Sequence, residues 1–251
     1  MRTLFAHLQP IGAVARREVG SFFNSLIAYV VLAVFLAVNG LFFWVFPGNV
    51  LESGLAQLDA LFFFTPWLFL FLVPALTMRA ISEELRQGTY ELLLSKPLLR
   101  THLLLGKFAA TVALVVVSLL PTLLYYATVY QLGAPTGNLD QGATWGAYIG
   151  LVLIGMTFAA VGLWSSTLSQ NQIVAFLVGA FVCFFLYQGF AYLALIPSLL
   201  AHSAWLSSLG LLAHYESISR GVVDSRDLLY FISLTVFFLA AAGRSLQSRH
   251  A

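Results

Sequence analysis

Six long apolar stretches dominate the pattern of hydrophobic and polar positions along the chain. A helix needs about 20 apolar residues to cross the roughly 30 Å hydrocarbon core of a bilayer. Backbone polar groups find no water there, so each spanning segment of this kind is expected to be helical. Six transmembrane helices are therefore predicted, at Leu26 to Phe46, Leu58 to Met78, Phe108 to Gln131, Trp145 to Ser165, Ile173 to Ile196 and Leu228 to Gly243. The last is short unless Arg244 extends to the membrane surface.

The 24 residues ahead of the first span predict a separate amphipathic helix. Apolar positions recur on one side from Ile11 to Phe23, while Arg16 and Arg17 lie at or beyond the margins of that side. This pattern is typical of a helix that lies in the membrane interface. Glu18 projects into the apolar arc, where an unpaired carboxylate is costly. Two interpretations of Glu18 stand equally: it has a partner such as a loop arginine, or it reaches the headgroup layer.

The segment of residues 79–107, between the second and third spans, holds eight of the 22 formal charges. Ser82 can cap a short helix that Gly88 ends. Thr89 can cap a second helix of about two turns, which Pro97 stops. So short a helix is unstable alone, so it is expected to dock, either on its own chain or in a partner's groove, and the sequence favours neither. The second helix consists of Thr89, Tyr90, Glu91, Leu92, Leu93, Leu94, Ser95 and Lys96.

Residues 197–227 form the longest segment on the other side of the membrane. His214 and Glu216 lie two positions apart, and a helix directs such side chains away from each other. No metal site is therefore predicted. An interfacial helix, a turn and a cap for the last span are predicted in this segment, at Pro197 to Leu212, Gly221, and Asp224 or Ser225.

Glycine spacing in the fourth span indicates close helix packing. Gly146 and Gly150 form a G-x-x-x-G pattern that Gly155 and Gly162 continue. Such small residues allow a neighbouring helix to approach closely. The pattern could also mark a contact between subunits, but this interpretation is the less favoured one.

Composition excludes a soluble globular domain. Of the 251 residues, 60% are hydrophobic and 9% are charged, against roughly 25% charged in an ordinary soluble domain. The single cysteine, Cys183, has no intramolecular disulfide partner. A net charge of +2 is too small to indicate nucleic-acid binding.

The distribution of charge is more informative than its sum. Ten of the twelve basic residues fall on one side of the predicted membrane, and only Arg220 and Arg226 fall on the other. The positive-inside rule then places both termini in the cytoplasm. No acid or base lies well inside a predicted span, which argues against a carrier driven by protons or ions. The five histidines are scattered, so no catalytic residues are assigned and a membrane-embedded enzyme is disfavoured.

Several of these residues together resemble a known family, the ABC type-2 exporter permeases. The loop between the second and third spans is similar to the E-x-x-x-G-T-x-E-x-L-L…P…G-K loop of that family. Two further stretches agree, ARREVGSFFNSLIAYV near the start and HYESISRGVVDSRDLLYF before the last span. The resemblance covers about 60 residues and is closest to the gliding-motility permease branch, which is related to the permease of nitrous-oxide-reductase maturation. The loop residues that carry it are Glu84, Gly88, Thr89, Glu91, Leu92, Leu93, Pro97, Gly106 and Lys107.

The resemblance implies a role for each part of the chain. Residues 1–24 would be an elbow helix, with Arg16, Arg17 and Glu18 as its notable positions, ahead of a six-span domain of residues 25–251. Residues 89–96 would be a cytoplasmic coupling helix that rests in a groove of an ATPase. ATPase coupling would involve Glu84, Gly88, Thr89, Tyr90, Glu91, Leu92, Leu93, Leu94, Ser95 and Pro97. Residues 197–227 would form a re-entrant or interfacial external element, with His214, Glu216, Arg220 and Gly221 as gate candidates.

The resemblance also implies partners and a location. The chain lacks the G-x-x-x-x-G-K-[ST] loop that binds nucleotide phosphates, so ATP and Mg²⁺ are expected in a separate cytoplasmic ATPase dimer and no cofactor is expected in this chain. The permease would form half of a dimeric pathway in a bacterial inner membrane, beside a second copy or a paralogue. An alternative is a scaffold that passes ATPase-driven motion to a periplasmic partner and moves no solute.

The substrate is not indicated by the sequence. Aromatic residues of the second and fifth spans could line a path for an amphipathic molecule, although lipid-facing and packing roles fit phenylalanine in a span better. These residues are Phe62, Phe63, Phe64, Trp67, Phe184 and Phe185.

Overall fold

The computed structural model describes residues 2–88 and 99–248, and within these ranges all regular secondary structure is helical. The predicted all-α membrane fold is confirmed. The longer helices are α1 (Arg2–Asn24), α2 (Leu26–Trp44), α4 (Asp59–Thr77), α6 (Arg100–Leu119), α7 (Leu123–Leu132), α8 (Gln141–Leu168), α9 (Gln172–Phe184), α12 (Leu211–Ser219) and α13 (Ser225–Ser248). The shorter ones are α3 (Val50–Ser53), α5 (Ser82–Gln87), α10 (Phe190–Ala194) and α11 (Ser203–Ser208).

Five helical segments of the described chain are long and apolar enough to cross a membrane, and a bent pair raises the count to six. The bent pair is Gln9–Asn24 and Ala28–Trp44, which meet at an angle of 71°. The predicted number of six spans therefore corresponds to the upper count. The five unbent segments are Asp59–Gln87, Arg100–Leu132, Gln141–Leu168, Gln172–Ala194 and Ser225–Ser248.

Two of these spans contain a local change of helix type. In the third span, α6 passes into α7 through a 3₁₀ turn at Leu120–Thr122, because Pro121 has no amide hydrogen to donate. In the fifth span, α9 passes into α10 through a π-helical turn at Phe185–Gly189. Wide turns of this kind reorient the side chains that follow them.

Two predicted span boundaries are wrong, and both errors have the same cause. The third span begins at Arg100 rather than Phe108, and its first turns bury His102 and Lys107 against other helices. The last span extends over Ser225–Ser248, so it is not short. Hydropathy counts only apolar residues, whereas these helix ends are stabilised by packing and by polar partners within the protein.

Helix α8 lies at the centre of the packing, and its glycines face other helices of the same chain. A Cβ added to Gly162 would lie 2.0 Å from the Thr77 hydroxyl oxygen of α4. One added to Gly146 would lie 2.3 Å from the Ile218 carbonyl oxygen of α12. The glycine pattern is therefore used inside the chain. The remaining two positions behave alike, with Gly150 against Tyr215 of α12 and Gly155 against Val115 of α6.

The two ends of the bundle differ in charge. We call the basic end the one formed by α1, α5, the first turns of α6 and the last turns of α13. Leu246 of α13 packs there in one cluster with Ile81 and Leu103, and Arg100 donates a hydrogen bond of 3.3 Å to the Leu246 carbonyl. The opposite end comprises α3, α10, α11, α12 and the first turns of α4, α8 and α13.

Candidate functional site

A buried ionic cluster lies at the basic end, between three helices. Lys107 of α6 is 4% exposed, and its Nζ lies 2.9 Å from Oε1 of Glu18 and 2.7 Å from Oε1 of Glu84. The two glutamate side chains are 21% and 18% exposed. We call these three residues the Lys107 cluster. It joins α1, α5 and α6, and desolvated contacts of this length are much stronger than surface ion pairs.

Gly106, the residue before Lys107, allows α1 to lie close to α6. A Cβ added to Gly106 would lie 2.6 Å from Cβ of Val14 and 3.1 Å from the Ile11 carbonyl oxygen, both in α1. Glycine therefore lets α1 pack directly on α6. The apolar side of α1 is covered in this way, and Glu18 on the same side meets Lys107. The G-K dipeptide that ends the quoted loop pattern thus has a structural explanation.

The partner expected for Glu18 differs from the one observed. The interpretation that Glu18 has a basic partner is confirmed, although the partner is Lys107 of α6 rather than an arginine, and the headgroup interpretation is wrong. Arg16 and Arg17 are exposed, as predicted. Sequence separation hid this pair, since Glu18 and Lys107 are 89 positions apart.

The short helix α5 is held at its start by α8. Its end at Gly88 is confirmed, where a φ of +68° favours glycine. The predicted capping role of Ser82 is wrong: Ser82 is the first helical residue, and its hydroxyl bonds to the Met78 carbonyl instead. The backbone amides of Ile81 and Ser82 both donate to Oγ of Ser166, each at 3.0 Å. A hydroxyl from another helix therefore supplies the cap that local sequence was expected to supply.

The whole predicted coupling helix, residues 89–96, lies outside the described residues. The structure describes only its two flanks, which are α5 with Gly88 and α6 from Arg100 onwards. The roles predicted for this part of the chain stay predictions. They concern Thr89, Tyr90, Glu91, Leu92, Leu93, Leu94, Ser95 and Pro97.

The segment of residues 197–227 at the opposite end is more broken than predicted. Instead of one interfacial helix over Pro197 to Leu212, it forms a 3₁₀ turn at Pro197–His202 and then α11, and Gly210 separates α11 from α12. The last span is capped by Asp224, whose Oδ1 accepts a 2.9 Å hydrogen bond from the Arg226 amide. That predicted cap is confirmed.

The gate candidates do not converge on one point. His214 Nδ1 lies 2.7 Å from Asp227 Oδ1, and its Nε2 lies 2.9 Å from the Ser208 carbonyl oxygen. The ring also stacks on Tyr230, with centroids 3.9 Å apart. In the part of the chain that the structure describes, no hydrogen bond or ion pair joins Glu216 to this group. The described ranges contain no cluster of His, Cys, Asp and Glu able to hold a metal ion.

Gly221, predicted as a turn, closes the external segment onto α8. Its φ of +88° favours glycine. An added Cβ would also lie 2.8 Å from the carbonyl carbon of Gly142. Arg220 beside it is exposed. The structure therefore gives Gly221 a packing role and gives Arg220 no partner within the described residues.

A cavity of about 980 Å³ opens at the opposite end between α4, α8, α12 and the π-helical turn of the fifth span. We call it the α4–α12 cavity. The Tyr215 hydroxyl, which lines it, donates a 3.0 Å hydrogen bond to the Phe62 carbonyl. Burial raises the pKa of Tyr215 well above its ordinary value. Of the aromatic residues considered for a path, Phe62, Phe63 and Trp67 line this cavity. No sequence pattern indicates the cavity, because its walls come from four separate segments.

Comparison with known proteins identifies a family match over most of the chain. Residues 50–243 match the sequence model of the family described as ABC-2 family transporter protein. No curated protein sequence matches the chain. The match extends from α3 into α13, so it includes Glu84, Lys107 and the α4–α12 cavity, whereas α1 with Glu18 precedes it.

Proposed function

The chain belongs to the ABC-2 family of transporter proteins and is a membrane permease component of an ABC transporter; on that premise we propose that a separate cytoplasmic ATPase drives it through residues 89–96. ATP and Mg²⁺ are bound by that ATPase and not by this chain. The observation that carries the proposal is the Lys107 cluster, which connects both flanks of the coupling segment and the helix that precedes the first span.

The charge at the two ends of the bundle supports an orientation with the basic end in the cytoplasm. Ten of the twelve Lys and Arg residues belong to the basic end or to the chain segments joined to it. The positive-inside rule then places both termini and the coupling segment on the ATPase side of a bacterial inner membrane.

The described contacts offer a route for force from the coupling segment into the bundle. Glu84 lies four residues before Gly88, after which the coupling segment begins. Lys107 lies near the start of α6, the first helix described after the coupling segment. Their ion pair holds the two flanks together. Glu18 adds α1, and Ser166 of α8 bonds the start of α5. A displacement of the coupling segment would therefore be transmitted to α1, α4, α6 and α8 together.

The finer family assignment rests on the loop pattern and the two other similar stretches. We propose the gliding-motility branch, with the chain forming half of a dimeric export pathway beside a second copy or a paralogue. The stretch from His214 to Phe231 lies within the family match, and the stretch near the N-terminus lies before it.

Purification and ATPase assays test the proposal. The full chain, purified from its native host, is expected to carry an ABC ATPase with it. In nanodiscs, Glu91→Ala or Pro97→Ala should lower the permease-stimulated rate of ATP hydrolysis while membrane insertion stays normal. Arg226→Gln, at the opposite end, is the matched control and should hydrolyse ATP at the unaltered rate. Unaltered hydrolysis in the two loop variants would exclude the coupling assignment.

A second candidate function is transmission of motion to a periplasmic partner without solute flux. The observation that favours it is the apolar exposure at the opposite end, where Trp205, Val222 and Val223 are exposed. Reconstituted vesicles separate the two functions. ATP hydrolysis with flux of a solute supports the exporter, whereas hydrolysis without flux of any tested solute, together with capture of a periplasmic protein by these residues, supports the transmitter.

A further inference from the structure

We propose that the α4–α12 cavity binds an organic cation with apolar substituents. Three carboxylates line the cavity, those of Asp59, Asp140 and Glu216, and all three residues are exposed. Lys, Arg and His are absent from the described residues that line it. The cavity is therefore acidic on one side with no cation of the protein to balance it. The inference goes beyond the proposed coupling and does not depend on it, because binding needs no ATPase.

The charge of the whole opposite end favours the same ligand. It holds six acidic residues and two basic residues, a formal charge of two minus six, or −4; they are Glu52, Asp59, Asp140, Glu216, Asp224 and Asp227 against Arg220 and Arg226. A cleft of one sign with low-dielectric walls concentrates ions of the opposite sign. Cations would therefore be drawn to the mouth of the cavity.

The aromatic walls indicate a large cation rather than a metal ion. Trp67 and Tyr187 both line the cavity, with ring centroids 5.8 Å apart and planes at 89°, and Phe62 lies beside them. The faces of such rings attract ammonium-type cations. A hydrated metal ion would instead need several oxygen ligands at one point, and the described residues contain no such group. Dispersed carboxylates and aromatic faces suit a cation whose charge is surrounded by hydrocarbon.

One polar group on the cavity wall, the Tyr187 hydroxyl, has no partner from the described residues. Tyr187 is 3% exposed and lines the cavity, yet within the described residues its hydroxyl makes no hydrogen bond. Glu216 lines the same cavity. The Tyr187 oxygen is therefore available to a cation bound in the cavity, whose walls also carry the three carboxylates.

Equilibrium dialysis with radiolabelled tetraphenylphosphonium tests the site. The full chain is placed in nanodiscs of phosphatidylcholine, which carries no net charge, and empty nanodiscs give the partition into lipid. We expect one saturable site per chain. Glu216→Gln and Asp59→Asn should each weaken binding by about tenfold, the effect of about 1.4 kcal/mol. Tyr187→Phe, which removes only the hydroxyl, should weaken it by about threefold.

The control variant is Glu52→Gln, because Glu52 is an acid of the same end that does not line the cavity. It should bind tetraphenylphosphonium as the unaltered chain does. Benzyltrimethylammonium should displace the probe and toluenesulfonate should not. Binding no greater than in empty nanodiscs, equal loss in Glu52→Gln and Glu216→Gln, or displacement by the anion would each overturn the proposal. ATP hydrolysis plays no part in this assay. A failure to bind the cation would therefore not contradict the coupling proposal, and a failure of the coupling proposal would not contradict cation binding.

Discussion

Replacing Lys107 by methionine measures what the Lys107 cluster contributes to stability. Methionine keeps an unbranched apolar stem and removes the charge that lies 2.9 Å from Glu18 and 2.7 Å from Glu84. Removing one partner of a buried ion pair costs about 3–5 kcal/mol, because the remaining charge is left in a poorly solvated place. The two carboxylates keep about a fifth of their exposure, so we expect the lower end of that range, about 3 kcal/mol.

A second substitution, Glu84→Gln, should change stability in opposite directions with and without Lys107. In the unaltered chain, Glu84→Gln removes an attraction to Lys107 and should lower the free energy of unfolding. In the Lys107→Met background, the same substitution removes a carboxylate that has lost its lysine, and should raise the free energy of unfolding. Adding Glu18→Gln as well should recover most of the lost stability, since uncharged replacements of a buried ionic group are often close to neutral.

The single cysteine provides the assay. Cys183 is fully buried, so a thiol-reactive fluorophore reports unfolding of the purified chain as temperature rises. A loss of about 3 kcal/mol corresponds to a fall of about 6–12 °C in the unfolding midpoint for a chain of this length. Arg86→Gln is the matched control, because the Arg86 to Glu83 pair is 3.8 Å apart with side chains 59% and 36% exposed. It should change stability by less than about 0.5 kcal/mol.

Two results would refute this reasoning. The first is an unchanged midpoint in Lys107→Met, which would mean that the three groups are solvated well enough not to need one another. The second is a fall in midpoint when Glu84→Gln is added to Lys107→Met, which would mean that Glu84 is stabilised by groups other than Lys107.

The same unfolding assay checks two further expectations. Gly162→Ala should cost about 1–3 kcal/mol, because its Cβ would lie 2.0 Å from the Thr77 hydroxyl oxygen, whereas Gly243→Ala, with open space around it, should be neutral or slightly stabilising; equal effects would contradict the packing described for α8. His214→Phe keeps an aromatic ring but removes both hydrogen bonds, and should cost about 2 kcal/mol by leaving the buried Asp227 carboxylate without its partner; Asp227→Asn added to it should restore part of the loss, and no restoration would argue against the pair.

The sequence predicted the features that local chemistry determines. The apolar stretches located the spans, since length and hydropathy suffice for that purpose. Gly88 ended α5, and Asp224 capped the last span, because each acts on its own neighbouring backbone. The two-residue spacing of His214 and Glu216 likewise kept them apart.

The features that the sequence missed all depend on contacts between distant segments. Glu18 pairs with a lysine on α6, and Ser82 gives up its capping role to Ser166 of α8. Gly106 has a meaning only once α1 is seen to pack on it. The walls of the acidic cavity come from loops and helix ends in separate parts of the chain, so no single sequence motif predicts it.

Two helices connect the Lys107 cluster with the α4–α12 cavity. Helix α4 begins at the cavity with Asp59 and Phe62 and leads, at its other end, into α5 with Glu84. Helix α8 begins at the cavity with Thr144, and near its far end Ser166 bonds the start of α5. A displacement of the coupling segment would therefore reach two walls of the cavity together, as a shift of packed helices. Coupling of this kind is reciprocal, so a cation that favours one arrangement of α4 and α8 would also alter how the segment is presented to the ATPase.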